Sequence, residues 1–247
     1  MNIRHFITCC ILLLLSAEGM QAQSDFGVNV SVGAEKKLPK RFSLGLDAEL
    51  RTRDNSSTID RVDIGADLSW KFLPFMKAAI GYEWLYDQRP TSLTYHNDGS
   101  PNKITLSYWQ PRHRLHADLQ GNLKVGRFSL SLRERYQYTH RPVSNNRKYD
   151  TDTEVWSNVK SKDYHVFRTR LNISYNIRHC KFSPFANAEM FNSKQGIEKA
   201  RYTIGTAYNL NKKSEFELYY RFQKVYGEDD ENDENMHLIG VSYNLKF

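Results

Sequence analysis

Hydrophobic and polar positions alternate with a period of two along most of the chain. This is the pattern of β-strands whose two faces meet different surroundings. Phe42, Leu44, Leu46, Ala48 and Leu50 share one face, and Ser43, Gly45, Asp47, Glu49 and Arg51 the other. Val62, Ile64, Ala66, Leu68, Trp70 and Phe72 repeat the pattern against Arg61, Asp63, Gly65, Asp67, Ser69 and Lys71. Further alternating stretches run over Ala78–Tyr86, Leu115–Leu119, Phe128–Tyr138, Phe167–Ile177, Ala186–Met190, Tyr202–Tyr208, Phe216–Phe222 and Ile239–Phe247. No convincing amphipathic helix interrupts them, so the reading is all-β.

The connections sort by length. Short ones fall near Lys37–Lys40, Leu73–Phe75, Asn122–Gly126, His179–Lys181 and Asn209–Lys213, and longer ones near Arg53–Thr58, Gln88–Leu106, Arg141–Asp163, Asn192–Glu198 and Gly227–Asn235. Short turns at one end and long loops at the other mark an up-and-down antiparallel transmembrane β-barrel. Between Phe42 and Phe247 the pattern predicts ten strands, and an even count places the chain's start at the short-turn end. Phe26–Ala34 is an eleventh alternating stretch. It fits a barrel of twelve with one further partner, or a segment in the lumen or the periplasm.

Aromatic residues gather at strand ends, as interfacial girdles do. Phe42, Trp70, Phe72, Phe128, Phe182, Phe216 and Phe247 lie beside short turns; Trp84, Tyr86, Trp109, Tyr136, Tyr138, Phe222 and Tyr226 lie beside long loops. Glu134 breaks the rule, because alternation from Leu132 turns it toward lipid. A bulge, or a position nearer the interface, is expected there.

Composition then makes sense. The chain has 247 residues, 40% hydrophobic, 13% aromatic and 26% charged, with a negative mean hydropathy. Helical membrane spans need runs of about 20 apolar residues, and only one short run exists, at Phe6–Leu15. Preceded by Arg4 and followed by Ala17–Ala22, that run reads as a secretory signal over residues 1–22, ahead of a barrel domain over 23–247. Cleavage removes Cys9 and Cys10 and leaves Cys180 alone, so no disulfide framework is available. It also removes one Arg and one Glu, leaving the net charge at +7. Tyr243, Leu245 and the terminal Phe247 form an aromatic-ended strand like the assembly signal of outer-membrane barrels. The expected location is the cell outer membrane, after export. The expected partners are outer-membrane lipid, lipopolysaccharide and the barrel-assembly machinery, with the protein a monomer.

The polar face carries the candidate chemistry. Arg51, Arg61, Arg112, Arg114, Arg133, Arg135, Arg168, Arg170, Arg201 and Arg221 are expected inside, with Asp47, Glu49, Asp63, Asp67, Glu83, Asp118, Glu189 and Glu217. Charges in a narrow lumen need partners, and arginine's planar fork suits carboxylates. A salt-bridged lumen that fills the barrel and a narrow, anion-preferring pore both fit. His116 and Asp118 share the inner face and are the weak candidates for an acid–base pair; no serine can be placed beside them. His113 and His116 fall on opposite faces, and no cofactor or metal site is expected. The acidic stretch Glu228–Glu234 lacks the spacing of a calcium loop. The pI of about 9.2 does not point to nucleic acid, because the basic residues are spread over many strands and matched by acids.

The chain resembles an uncharacterised family of small outer-membrane β-barrels of Gram-negative bacteria, a domain of unknown function. The residues that carry the likeness are Lys36-Lys-Leu-x-Lys40 leading to Leu46-x-x-Glu49-x-Arg51, Arg112 and Arg114 before Ala117-Asp118-Leu119, Arg133-x-Arg135-Tyr-Gln137, Arg168-x-Arg170, Pro184-x-x-x-x-Glu189-x-Phe191 and the closing His237 to Phe247. The resemblance implies the fold and the location, and transfers no catalytic residue. The expected role is structural or that of a narrow pore, not an enzyme. The alternatives are a barrel hydrolase acting on envelope lipid and a surface-loop recognition protein using Arg141–Asp163.

Overall fold

The computed structural model describes residues 24–226 and 234–247, so the signal segment and most of the acidic stretch lie outside the described residues. The chain forms fifteen strands: β1 (Asp25–Lys37), β2 (Phe42–Arg53), β3 (Thr58–Leu73), β4 (Met76–Arg89), β5 (Ser92–Tyr95), β6 (Pro101–Thr105), β7 (Tyr108–Val125), β8 (Phe128–Arg141), β9 (Ser144–Asp150), β10 (Val155–Val159), β11 (Lys162–Tyr175), β12 (Phe182–Ser193), β13 (Gly196–Asn209), β14 (Ser214–Val225) and β15 (Met236–Lys246). Eleven of them close a barrel, and β5, β6, β9 and β10 form a separate four-stranded sheet at the long-loop end. Closure satisfies the backbone polar groups that an open edge would leave bare.

The count is eleven, not ten or twelve. The Phe26–Ala34 stretch is part of β1, which runs antiparallel to β2 and parallel to β15. Asp25 pairs with Met236 at the long-loop end, so the described chain starts there and not at the short-turn end that an even count requires. Alternation marks β1 as a strand but is blind to the direction of its partner. A side chain bolts this seam. The Tyr219 ring lies over Gly240, where a Cβ would come within 2.0 Å of it, and Asn29 Nδ2 donates to the Tyr219 hydroxyl at 2.6 Å across β15.

The outer face is an apolar band: Ile80 and Ile204 are each 63% exposed, and Val32, Ile64, Leu115, Leu171 and Leu218 project with them. Such a band is what a membrane-spanning barrel offers to lipid. Rings border it at both ends. Phe42 stacks on Trp70 at 5.9 Å and Phe216 packs on Tyr243 at 4.7 Å near the short turns; Tyr86 stacks between Trp84 and Trp109 near the long loops. Three Tyr–His pairs recur on the outer face, with the tyrosine oxygens of Tyr82, Tyr136 and Tyr220 meeting Nδ1 of His113, His165 and His237 at 2.5–2.7 Å.

Two expectations change. Glu134 sits in continuous register with Leu119 and Thr169, with no bulge, and accepts a hydrogen bond from the Thr169 hydroxyl at 2.7 Å. The local hydroxyl satisfies one of its oxygens without any break in the ladder. Bulges occur elsewhere: Arg51 pairs with Arg61 but Thr52 with Ile59, which turns Asp60 inward, and a second irregularity places the buried Glu198. Loop lengths sort only in part, since Arg53–Thr58 and Ser193–Gly196 close as tight turns.

Candidate functional site

The lumen gathers the predicted charges, because inward positions on successive strands fall level with one another. On β4 and β7, Glu83 meets Arg114 at 2.9 Å and Arg135 of β8 at 2.9 Å. Arg135 also grips both oxygens of Asp118, at 2.6 and 2.8 Å. Nearer the long loops, Asp87 pairs with Arg61 at 2.6 Å and with Arg112, which also donates to the Tyr164 hydroxyl. Arg51 holds Asp60 at 2.5 Å.

The adjoining wall, from β8 through β11 and β12 to β14, is dominated by arginine. Both oxygens of Glu189 on β12 accept from Arg168 at 2.8 Å, Oε1 also accepts from Arg133 at 3.3 Å, and Arg170 stands at 3.5 Å. Two residues on, the Phe191 ring lies under Arg168, Lys199 and Arg201 at 4.7–4.9 Å, which suits the negative face of an aromatic ring. Arg201 donates to Gln223 at 2.7 Å and Arg221 to Thr203 at 3.3 Å.

The third set is acidic. Asp47, Glu49, Asp63 and Asp67 occupy inward positions on β2 and β3, and Asp63 is 4.0 Å from Arg61. Glycine makes room here, for a Cβ at Gly45 would meet Asp67 at 2.3 Å and one at Gly65 would meet Asp47 at 2.7 Å. Carboxylates thus gather on β2–β3 and arginines on β8, β11, β13 and β14, though Arg51 and Arg61 stand on the first wall and Glu189 and Glu217 on the second. Glu217 stands inward on β14, four residues before Arg221.

His116 and Asp118 do share the inner face, yet Asp118 is engaged by Arg135, while His116 Nδ1 stands 3.4 Å from Glu83 and its ring covers Gly81. Among the described residues no group of three or more His, Cys, Asp or Glu side chains is placed to hold a metal ion. Of the assembly-signal residues, Tyr243 packs on Phe216, and the backbone N–H of Phe247 donates to Glu35 at 2.8 Å.

The lumen is unevenly filled. Leu85, Gln110, Arg112 and Leu238 have no solvent exposure, and Lys199 and Gln223 have 1%. They lie in the long-loop half of the barrel. Above them a cavity of about 700 Å³ opens between Arg89 and Tyr108 of the rim and the four-stranded sheet. Below, near the short turns, a cavity of about 300 Å³ is lined by Asp47, Asp67, Lys77, Glu215 and Lys246. Along β4 the order is Lys77 in the lower cavity, the fully buried Leu85, and Arg89 in the upper cavity. Sequence reading missed Asp60, Asp87, Gln110 and Lys199. Asp87 was available to it, because the inward series Glu83, Leu85, Asp87 and Arg89 simply continues past Tyr86.

Closed strand ladders, an apolar outer band and a charged interior define a β-barrel of the outer-membrane type. Residues 26–235 match the family described as "Protein of unknown function (DUF2490)", and the chain belongs to that family. No curated protein matches. Among solved structures, the chain is similar to the beta domain of the Bordetella autotransporter BrkA, with a TM-score of 0.54 and 10% identity, over 85% of this chain and 82% of that one. It also aligns with the NanC porin, with a TM-score of 0.48 and 9% identity, over 90% and 96%. At such identity the BrkA likeness speaks for the fold alone.

Proposed function

We propose that this chain spans the outer membrane as a barrel that is shut at rest, with its long loops outside, and that its role is structural and surface-presenting. The observation that carries this is the complete burial of Leu85, Gln110, Arg112 and Leu238, on β4, β7 and β15, at a level between the two cavities. Leu85 and Leu238 are packed apolar groups, Gln110 bonds to Ser144 and the Pro142 carbonyl, and Arg112 pairs with Asp87, as in small barrels whose interiors are packed. His116 and Asp118 serve this network as lumen groups and not as a catalytic pair.

One observation favours a second reading, a narrow anion-preferring pore. Carboxylates gather on β2–β3 and arginines on β8–β14, an arrangement that orients and sorts ions if this level opens. Conductance in planar bilayers separates the two. The shut barrel gives no steps from wild-type protein, and steps with anion preference appear when Gln110→Ala and Arg112→Ala are combined. Steady steps from the wild type would sink the shut-barrel reading in favour of the pore. Location is tested separately, by heat-modifiable gel mobility and recovery in the outer-membrane fraction.

A further inference from the structure

The two longest described connections fold over the barrel mouth instead of standing free. Strands β5 and β6 come from one, β9 and β10 from the other, and β6 pairs with β9 to join them. The cavity of about 700 Å³ lies between this sheet and the rim. Its size is that of a small-molecule site.

Its lining has one dominant sign. Arg89 and Arg141 come from the rim at the ends of β4 and β8, Lys103 and Lys148 from the covering sheet, and Lys160 and Lys162 from the segment that enters β11. One carboxylate joins them. Asp150 accepts hydrogen bonds from the backbone N–H groups of Thr153 and Asp152 at 3.1 and 3.2 Å, and stands 3.7 Å from Lys103. The Thr153 backbone bond is the chief cause that keeps this carboxyl below its usual range, so it stays ionised at neutral pH beside Lys103; Arg89 in turn reaches Asp87 at 4.0 Å, and Arg141, Lys148 and Lys160 make up the surplus of positive charge in the lining. Lysine and arginine remain charged there too. A concave wall of one sign concentrates counter-ions well beyond what a flat surface does. Four of the six are lysines, compact point charges that suit clustered anionic oxygens without demanding one planar geometry. The fully buried Leu85, Gln110 and Arg112 lie below it.

We propose that this vestibule is a binding site for a soluble multivalent anion, one carrying two or more phosphate or carboxylate groups. The inference goes beyond the shut-barrel reading and stands whether or not the lumen conducts. The test uses the full folded chain in detergent micelles, titrated calorimetrically with pyrophosphate and with citrate. At least one binds, more weakly as ionic strength rises. Affinity falls roughly tenfold or more, the loss expected for charge-assisted contacts, in Lys103→Gln/Lys148→Gln and in Lys160→Gln/Lys162→Gln. It is unchanged in Lys36→Gln/Lys37→Gln at the other end of the barrel. All three pairs lie outside the charged lumen, and heat-modifiable mobility reports folding independently of binding. Absence of binding to either anion in the folded wild type overturns the proposal, as does equal affinity in the vestibule variants, or an equal loss in the short-turn variant. Micelles bearing phosphatidic acid form the second arm. If they displace pyrophosphate through the same lysines, the ligand is a lipid headgroup and the soluble-anion assignment fails.

Discussion

Replacing Glu189 with Gln tests whether the charged lumen is a structural keystone or mere lining. Glu189 is 4% exposed and, among the described residues, is the carboxylate recorded within 4.0 Å of Arg168, Arg133 and Arg170. At 3 Å and an effective dielectric of 20, each attraction is worth about 5 kcal/mol. Three such terms would rival the whole stability of a domain, so mutual repulsion and lost hydration of the arginines must cancel most of the gain. The useful magnitude is therefore the cost of breaking a buried pair, about 3–5 kcal/mol. The Arg170 side chain is 33% exposed and recovers hydration, which favours the lower end. Glu189→Gln keeps the shape and one acceptor, and is expected to cost about 3 kcal/mol, a shift of roughly a hundredfold in the folding equilibrium. Urea unfolding in micelles, followed by tryptophan fluorescence and by gel mobility, measures it. Adding Arg170→Met should recover part of the loss, since it removes one of the stranded cations. A cost below about 1 kcal/mol, that of a surface ion pair, would refute the reasoning.

Gly240→Val forces a Cβ into the Tyr219 ring and should abolish heat-modifiable folding; adding Tyr219→Ala should restore at least part of it, and no rescue means the clash is not the cause. Glu134→Leu removes a carboxylate from the apolar band, where the Thr169 hydroxyl is its recorded partner. It should stabilise the micelle-folded barrel to urea by about 1 kcal/mol, and a destabilisation would show that another group depends on it. An epitope placed just before Asp25 should be labelled from outside intact cells, because β1 starts at the long-loop end. Labelling only after permeabilisation would contradict the parallel seam or the orientation.

Much of this was legible in the sequence because a barrel strand writes its two environments into odd and even positions. The inward places of Glu83, Arg114, Arg135, Arg168 and Glu189 follow from that parity. Asp60 did not, because a bulge shifts parity at a single residue. The β1–β15 pairing did not, because alternation says nothing of a partner's direction. The sheet over the mouth was read as loop because all four strands are short, and β6 and β9, which join its halves, are rich in Asn, Lys and Asp with little apolar contrast between faces. The buried residues of the long-loop half were hidden for a different reason. Leu85, Gln110 and Leu238 are ordinary residue types, and their burial depends on what the closed fold packs around each of them.

The parallel seam also bears on how the barrel comes to exist. Every antiparallel hairpin joins strands that are near in sequence, whereas β1 and β15 are the two ends of the described chain. Bringing them together carries the greatest loop-closure entropy of any pairing in the barrel, and pairings of such long range form late. Until then β1, paired to β2 alone, and β15 each expose an edge in the open sheet, and both can recruit another strand. Eleven barrel strands in order thus leave one slow decision, made by β1. It either meets β15 or leaves an intermediate open to the wrong partner.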